Sequence, residues 1–255
     1  MTSLSATIAA LEPTFHPQHP WCGQWTLAGR PAFIHTDAEW VEARMPVCGD
    51  APFQSQFTLP GLAKLSAGDF LRIELPVARG AYADTFRLIA AELERALDHF
   101  EGVPANPAPQ PALKLADLLA ETSAPWTPKG DAFTTPLDDD PAPATFAIAE
   151  PMGSAVAIRT TLTRLHQPAP DSLDALTHFL LALNQRIRLA RGSIAPGRAV
   201  LEVVLPAACA TPALVTQAVN SLWTGTAVAR RECAALLDPQ IAEAYLQFHL
   251  KGAIA

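Results

Sequence analysis

One short phrase occurs twice in this chain, and it limits the folds open to it. Leu71-Arg72-Ile73-Glu74-Leu75-Pro76 and Leu201-Glu202-Val203-Val204-Leu205-Pro206 are largely apolar runs stopped by proline. Proline fixes φ and has no N–H to donate, so it closes a strand that lies inside a sheet. Each phrase leads through a short loop into a helical pattern, and each follows a hairpin-like pair of strand segments. The expectation is a degenerate internal duplication within an α+β chain. Two similar lobes would each pack an antiparallel sheet with helices.

Between the phrases, residues 102–143 are rich in Pro, Ala and Asp, ending in Asp138-Asp139-Asp140-Pro141. Such segments interrupt regular structure. The boundary is expected near residue 106. This gives an N-terminal lobe over 1–105, a Pro-rich linker with one short helix (112–121) over 106–144, and a C-terminal lobe over 145–255. In the first lobe the pattern predicts a helix over 4–11 and strands over 25–27, 32–35, 40–45 and 70–75. A helix over 83–100 carries Phe86, Ile89, Leu93 and Leu97 at spacings of three and four. Val41, Ala43 and Met45 alternate with Glu42 and Arg44, as in a half-buried strand. In the second lobe it predicts strands over 145–149, 155–163 and 198–205. Helices are expected over 172–184, capped by Asp171, after Thr211-Pro212, and after Asp238-Pro239.

With 49% hydrophobic and 17% charged residues, the chain can bury a sizeable core and is not of disordered composition. The formal net charge of -7 and pI near 5.4 imply no basic face, so nucleic acid is not an expected partner. No apolar run reaches the roughly 18 residues of a membrane span, and residues 1–10 lack Lys and Arg. A cytoplasmic protein with no membrane partner is expected. The four cysteines, Cys22, Cys48, Cys209 and Cys233, form no Cys-Xaa-Xaa-Cys and read as free thiols.

Chemistry has few footholds. His16, His19 and Cys22 fall within seven residues, and imidazole with thiolate suits zinc, with Cys48 or His35 completing the set. Asp138 to Asp140 lack the Gly and Glu of a calcium loop. Cys209 precedes the helix at Thr211-Pro212, where the helix N-terminus favours thiolate, and His166, His178 or His249 would serve as base. Cys233, beside Glu232, reads as structural. No phosphate-cradling glycine loop and no Gly-Xaa-Ser-Xaa-Gly occurs, so no catalytic residue and no cofactor is assigned. Trp21, Trp25 and Trp40 fall near the first strands and would line an apolar groove for a partner.

The order helix, strands, helix, strand, Leu-Pro, helix resembles the type III secretion chaperones and the YbjN-like proteins. The similarity is best over residues 112–250. It is carried by Leu180-Leu181-Ala182-Leu183-Asn184, then Leu189-Ala190-Arg191, then Val200 to Pro206. There a helix ends at Asn, a strand follows, and a second strand closes with Leu-Pro. Ser193-Ile194-Ala195-Pro196-Gly197 breaks that strand region early. The resemblance implies a tandem form of a fold that the small chaperones use as single-domain homodimers. It also implies a non-catalytic adaptor, able to form an oligomer, that holds a segment of another protein. Two alternatives remain open at this point. One is a metal- or thiol-dependent enzyme at His16, His19 and Cys22 or at Cys209, and the other is a structural subunit of a larger assembly.

Overall fold

The computed structural model describes residues 3–37, 39–47, 59, 61–66, 70–77, 81–103, 114–137, 145–152 and 155–251. The chain divides into two compact units, Met1–Ala108 and Pro109–Ala255. Each is an α+β lobe built on a six-stranded antiparallel sheet.

The first lobe runs α1 (Leu4–Ala9), β1 (His16–His19), β2 (Cys22–Leu27), β3 (Arg30–Thr36), β4 (Trp40–Pro46), β5 (Lys64–Ser66), β6 (Phe70–Pro76) and α2 (Tyr82–Phe100). Its strand order is β1-β2-β3-β4-β6-β5. Strand alternation sends Val41, Ala43 and Met45 of β4, and Leu71, Ile73 and Leu75 of β6, to one face. All six are buried, as are Phe86, Ile89, Leu93 and Leu97 of α2, which packs against β6 and β4. Each of these side chains except Ala43 contributes about 1.5–3 kcal/mol when fully buried. Ser3 caps α1 by accepting from the Ala6 amide.

The second lobe runs α3 (Leu115–Ala120), β7 (Thr127–Lys129), β8 (Ala132–Pro136), β9 (Phe146–Met152), β10 (Ala155–Arg164), α4 (Pro170–Arg186), β11 (Arg191–Ala195), β12 (Arg198–Pro206), α5 (Pro212–Ala235) and α6 (Pro239–Leu246). A π-helical turn, Gln247–Lys251, follows. The strand order is β11-β12-β10-β9-β8-β7. As the residue types predict, Thr211 caps α5 and Asp238 caps α6, each followed by proline in the first turn.

The two sheets trace the same path, and their registers agree. In each, the closing proline of the doubled phrase faces the first residue of the neighbouring strand: Trp40 opposite Pro76, Ala155 opposite Pro206. Lys64 faces Arg72 as Arg191 faces Glu202. At the far edge Pro17 faces Gly23 as Pro128 faces Phe133. The opening helices lead their sheets by equal counts, Leu4 before His16 and Leu115 before Thr127. Between the fourth and fifth strands the second lobe carries α4, and the corresponding stretch of the first lies largely outside the described residues.

Several expectations are corrected. The span 106–144 is not only linker. β7 and β8 within it pair with each other, and β8 pairs with β9, so they extend the second sheet. Proline, which usually signals a break, is tolerated at Pro128 because β7 is an edge strand. Asp171 is not the cap of α4. Ala169 takes that position, Pro170 opens the first turn with its preset φ, and Asp171 follows as a first-turn acid. Ser193 to Gly197 does not break the strand: Arg191–Ala195 is β11, and the turn follows with Gly197 at φ +71°. Asp138 to Asp140 and Cys48 lie outside the described residues.

Candidate functional site

The sequence candidates separate when folded. His16 and His19 lie on β1, whose four residues are all exposed, and Cys22 opens β2 half-buried. Strand register sets Cys22 opposite both His19 and His35. Even so, no group of three His, Cys, Asp or Glu able to hold a metal ion occurs among the described residues. Trp21, Trp25 and Trp40 do not form one groove. Trp21 is exposed, whereas Trp25 is 1% exposed within the core. Trp40 points to the sheet face opposite Val41, by alternation. Cys209 is half-buried and its thiol donates to the Pro206 carbonyl oxygen. Burial, with Glu232 adding to it, pushes the Cys233 thiol up to about 12, which suits a core residue and not a nucleophile. His178 and His249 meet each other instead of a thiol, around Tyr245. His178 Nδ1 lies 3.1 Å from the Tyr245 hydroxyl, and the Tyr245 and His249 rings are 4.3 Å apart.

Charge concentrates on the sheet faces that point away from the helices. In the first lobe Glu42 stands directly opposite Glu74, and Arg44 opposite Arg72, pairings that repel. Diagonal contacts resolve them. Arg72 bridges Glu42 at 2.6 Å and Glu74 at 2.8 Å, and Lys64 Nζ meets Glu74 at 2.5 Å. Lys64 is 1% exposed, and burial lowers it to about 8 against the pull of Glu74. In the second lobe the counterparts of Lys64 and Arg72 are Arg191 and Glu202, paired at 3.0 Å, with Ser193 donating to the same carboxylate at 3.1 Å. Such networks fix register more than they add stability.

Where the lobes differ inside is more informative. Trp25 of β2 faces Ala32 and lays its indole edge-on against Phe86 of α2, with centroids 5.4 Å apart at 73°. The station of Trp25 in the second sheet is held by Thr135 of β8, which faces Ala147. Phe86 follows Pro76 by the same count as Thr216 follows Pro206, so a threonine also stands opposite on α5. Where the first lobe has an aromatic pair the second has two threonines, and both line a cavity of about 240 Å³. Thr135 and Leu137 form its buried floor, while Pro125, Asn220 and Trp223 stand exposed at its rim. Trp223 is 57% exposed, and Thr135 is fully buried with no hydrogen-bond partner for its hydroxyl.

The sequence alone did not point to this cleft. Its signal was nonetheless present, since counting outward from the doubled phrase brings Thr135 and Thr216 onto Trp25 and Phe86. The chain matches no protein-family model, and it has no match among curated proteins.

Proposed function

We propose that the chain is a non-catalytic, chaperone-like adaptor that holds a segment of a partner protein in the cleft of its second lobe. The single observation that carries this reading is that cleft. Its rim carries the exposed Trp223 ring beside Pro125 and Asn220, its floor is Thr135 and Leu137, and the first lobe holds an indole at the station of Thr135. Large exposed apolar residues that border a concavity mark binding surfaces, whereas scattered ones do not. Trp223 borders one.

The element order adds support. The helix, strands, helix, strand pair and helix of residues 115–235 follow the order in which the chain resembles secretion chaperones. Two lobes of one path and one register fit an internal duplication, covalently joining what those chaperones supply as two copies.

The test is comparative purification from the native host. A discrete protein should accompany the wild type and be lost with Trp223→Ala, while both proteins give the same circular dichroism. A chain that purifies alone, or partners retained equally by the variant, would refute the reading.

A further inference from the structure

On the reading that this cleft receives part of another protein, we propose that its occupant is a tyrosine or tryptophan side chain of that protein, seated with its polar edge on the Thr135 hydroxyl. Three observations converge on this chemistry.

The first is what the other lobe does with the same space. At the station of Thr135 it holds the Trp25 indole, packed edge-on against an α2 ring. Because strand order and register repeat, the framework around Thr135 is one already built to surround an aromatic ring. The volume agrees. Small-molecule sites run to roughly 300–1,000 Å³, so about 240 Å³ is the scale of one side chain.

The second is the orphan hydroxyl. A buried polar group without a partner is costly, on the order of 1–3 kcal/mol. Thr135 Oγ1 is such a group, and Thr135 lines the cleft. A ring that also brings an N–H or O–H to the floor satisfies it, and a phenylalanine or leucine leaves it stranded. This is why a polar-tipped aromatic is selected over a plain apolar plug.

The third is that the residues of this sequence leave the cleft without such a ring. All five of its tryptophans and both tyrosines, Tyr82 and Tyr245, lie among the described residues, and only Trp223 lines the cleft, at its exposed rim. The undescribed stretches contain neither residue type. No other tryptophan or tyrosine of this sequence lines the cleft.

The experiment titrates full-length protein with the N-acetyl amides of tryptophan, tyrosine, phenylalanine and leucine, following backbone amide resonances of residues 135, 137 and 216–223. Tryptophan and tyrosine amides should bind saturably at about 1–10 mM, as expected for a single side chain. Phenylalanine amide should bind about five-fold more weakly for want of one hydrogen bond, and leucine amide weaker still. Thr135→Val should erase the preference over phenylalanine. Thr135→Trp and Thr216→Phe fill the cleft from opposite walls and should each abolish binding. Both are checked by circular dichroism, and the Thr135→Val comparison decides the matter if neither folds. No saturable shift with tyrosine or tryptophan amide, a preference untouched by Thr135→Val, or binding that survives filling would overturn the inference. If the amides fail while a partner still co-purifies in a Trp223-dependent way, the occupant is wrong and the adaptor reading stands. If both fail, both fall.

Discussion

Asn184, in the last turn of α4, holds Gly192 of β11 as a neighbouring strand would. The Gly192 amide donates to Asn184 Oδ1 at 2.6 Å, and Asn184 Nδ2 donates to the Gly192 carbonyl at 3.2 Å. β11 is the edge of its sheet, where unpaired backbone groups invite association with other chains. One buried side-chain amide satisfies that edge at Gly192. Gly192 also lets α4 lie close, since a Cβ there would stand 2.7 Å from Leu180 Cδ2.

Asn184→Ala strands a buried N–H and a buried C=O. Each such group costs about 1–3 kcal/mol, so the second lobe should lose roughly 2–5 kcal/mol. Urea unfolding measures it. A change below about 0.5 kcal/mol would mean that water replaces the amide at no cost.

The buried pair of the first lobe gives a second expectation. Glu74→Ala leaves the Lys64 ammonium buried without its carboxylate, which should cost about 3–5 kcal/mol in the same assay. The pH dependence has a definite sign. Lys64 is held at about 8 against an ordinary 10.5, so between those values the unfolded chain keeps a proton that the folded chain has released. Stability therefore rises with pH there. Cys233, held at about 12 against 9.0, acts in the opposite sense above pH 9. The window belonging to Lys64 is pH 8–9. Across it the wild type should gain stability relative to Lys64→Met, and parallel curves would contradict the assignment.

At the other end of the pH scale, His178 is held below its ordinary 6.5 by burial and then by His249. Its neutral form is the one the folded lobe accommodates beside Tyr245 and His249. Below pH 6.5 the unfolded chain gains a proton that the folded chain resists, so the contribution of this contact falls as pH falls. Amide hydrogen exchange over residues 239–251 should quicken between pH 6.5 and 5 beyond the intrinsic chemical rate. His178→Phe should flatten that dependence.

The two lobes should respond oppositely to loss of an indole. Trp25→Ala opens a core cavity and should cost about 3–5 kcal/mol. Trp223→Ala removes a ring that is mostly in water and should change stability by less than about 0.5 kcal/mol. Thermal unfolding of the two variants side by side checks this. Comparable losses would mean that Trp223 is a core residue.

Most of the scaffold was legible because its punctuation is local. Leu-Pro closures, Thr211-Pro212 and Asp238-Pro239 each act through φ, a missing donor or a cap, and each folded as its residue type dictates. The strands at β1, β5, β7 and β8 were not legible. They are three to five residues long and lie at or beside sheet edges, with Pro17 and Pro128 inside them, so partner strands hold them more than their own pattern does. Trp25 was legible as an aromatic near a strand, but not as core, because one residue of strand phase decides the face it takes. The cleft was hidden for another reason. It is an absence at Thr135, visible only once both registers are known.

The adaptor reading is tested most directly by a photo-reactive amino acid at position 220 on the cleft rim, with position 87 on the exposed side of α2 as control. In the native host, illumination should join one discrete protein to position 220 and not to position 87. Thr135→Trp should suppress the product. No product at 220, or equal products at both positions, would contradict a cleft built to hold a partner.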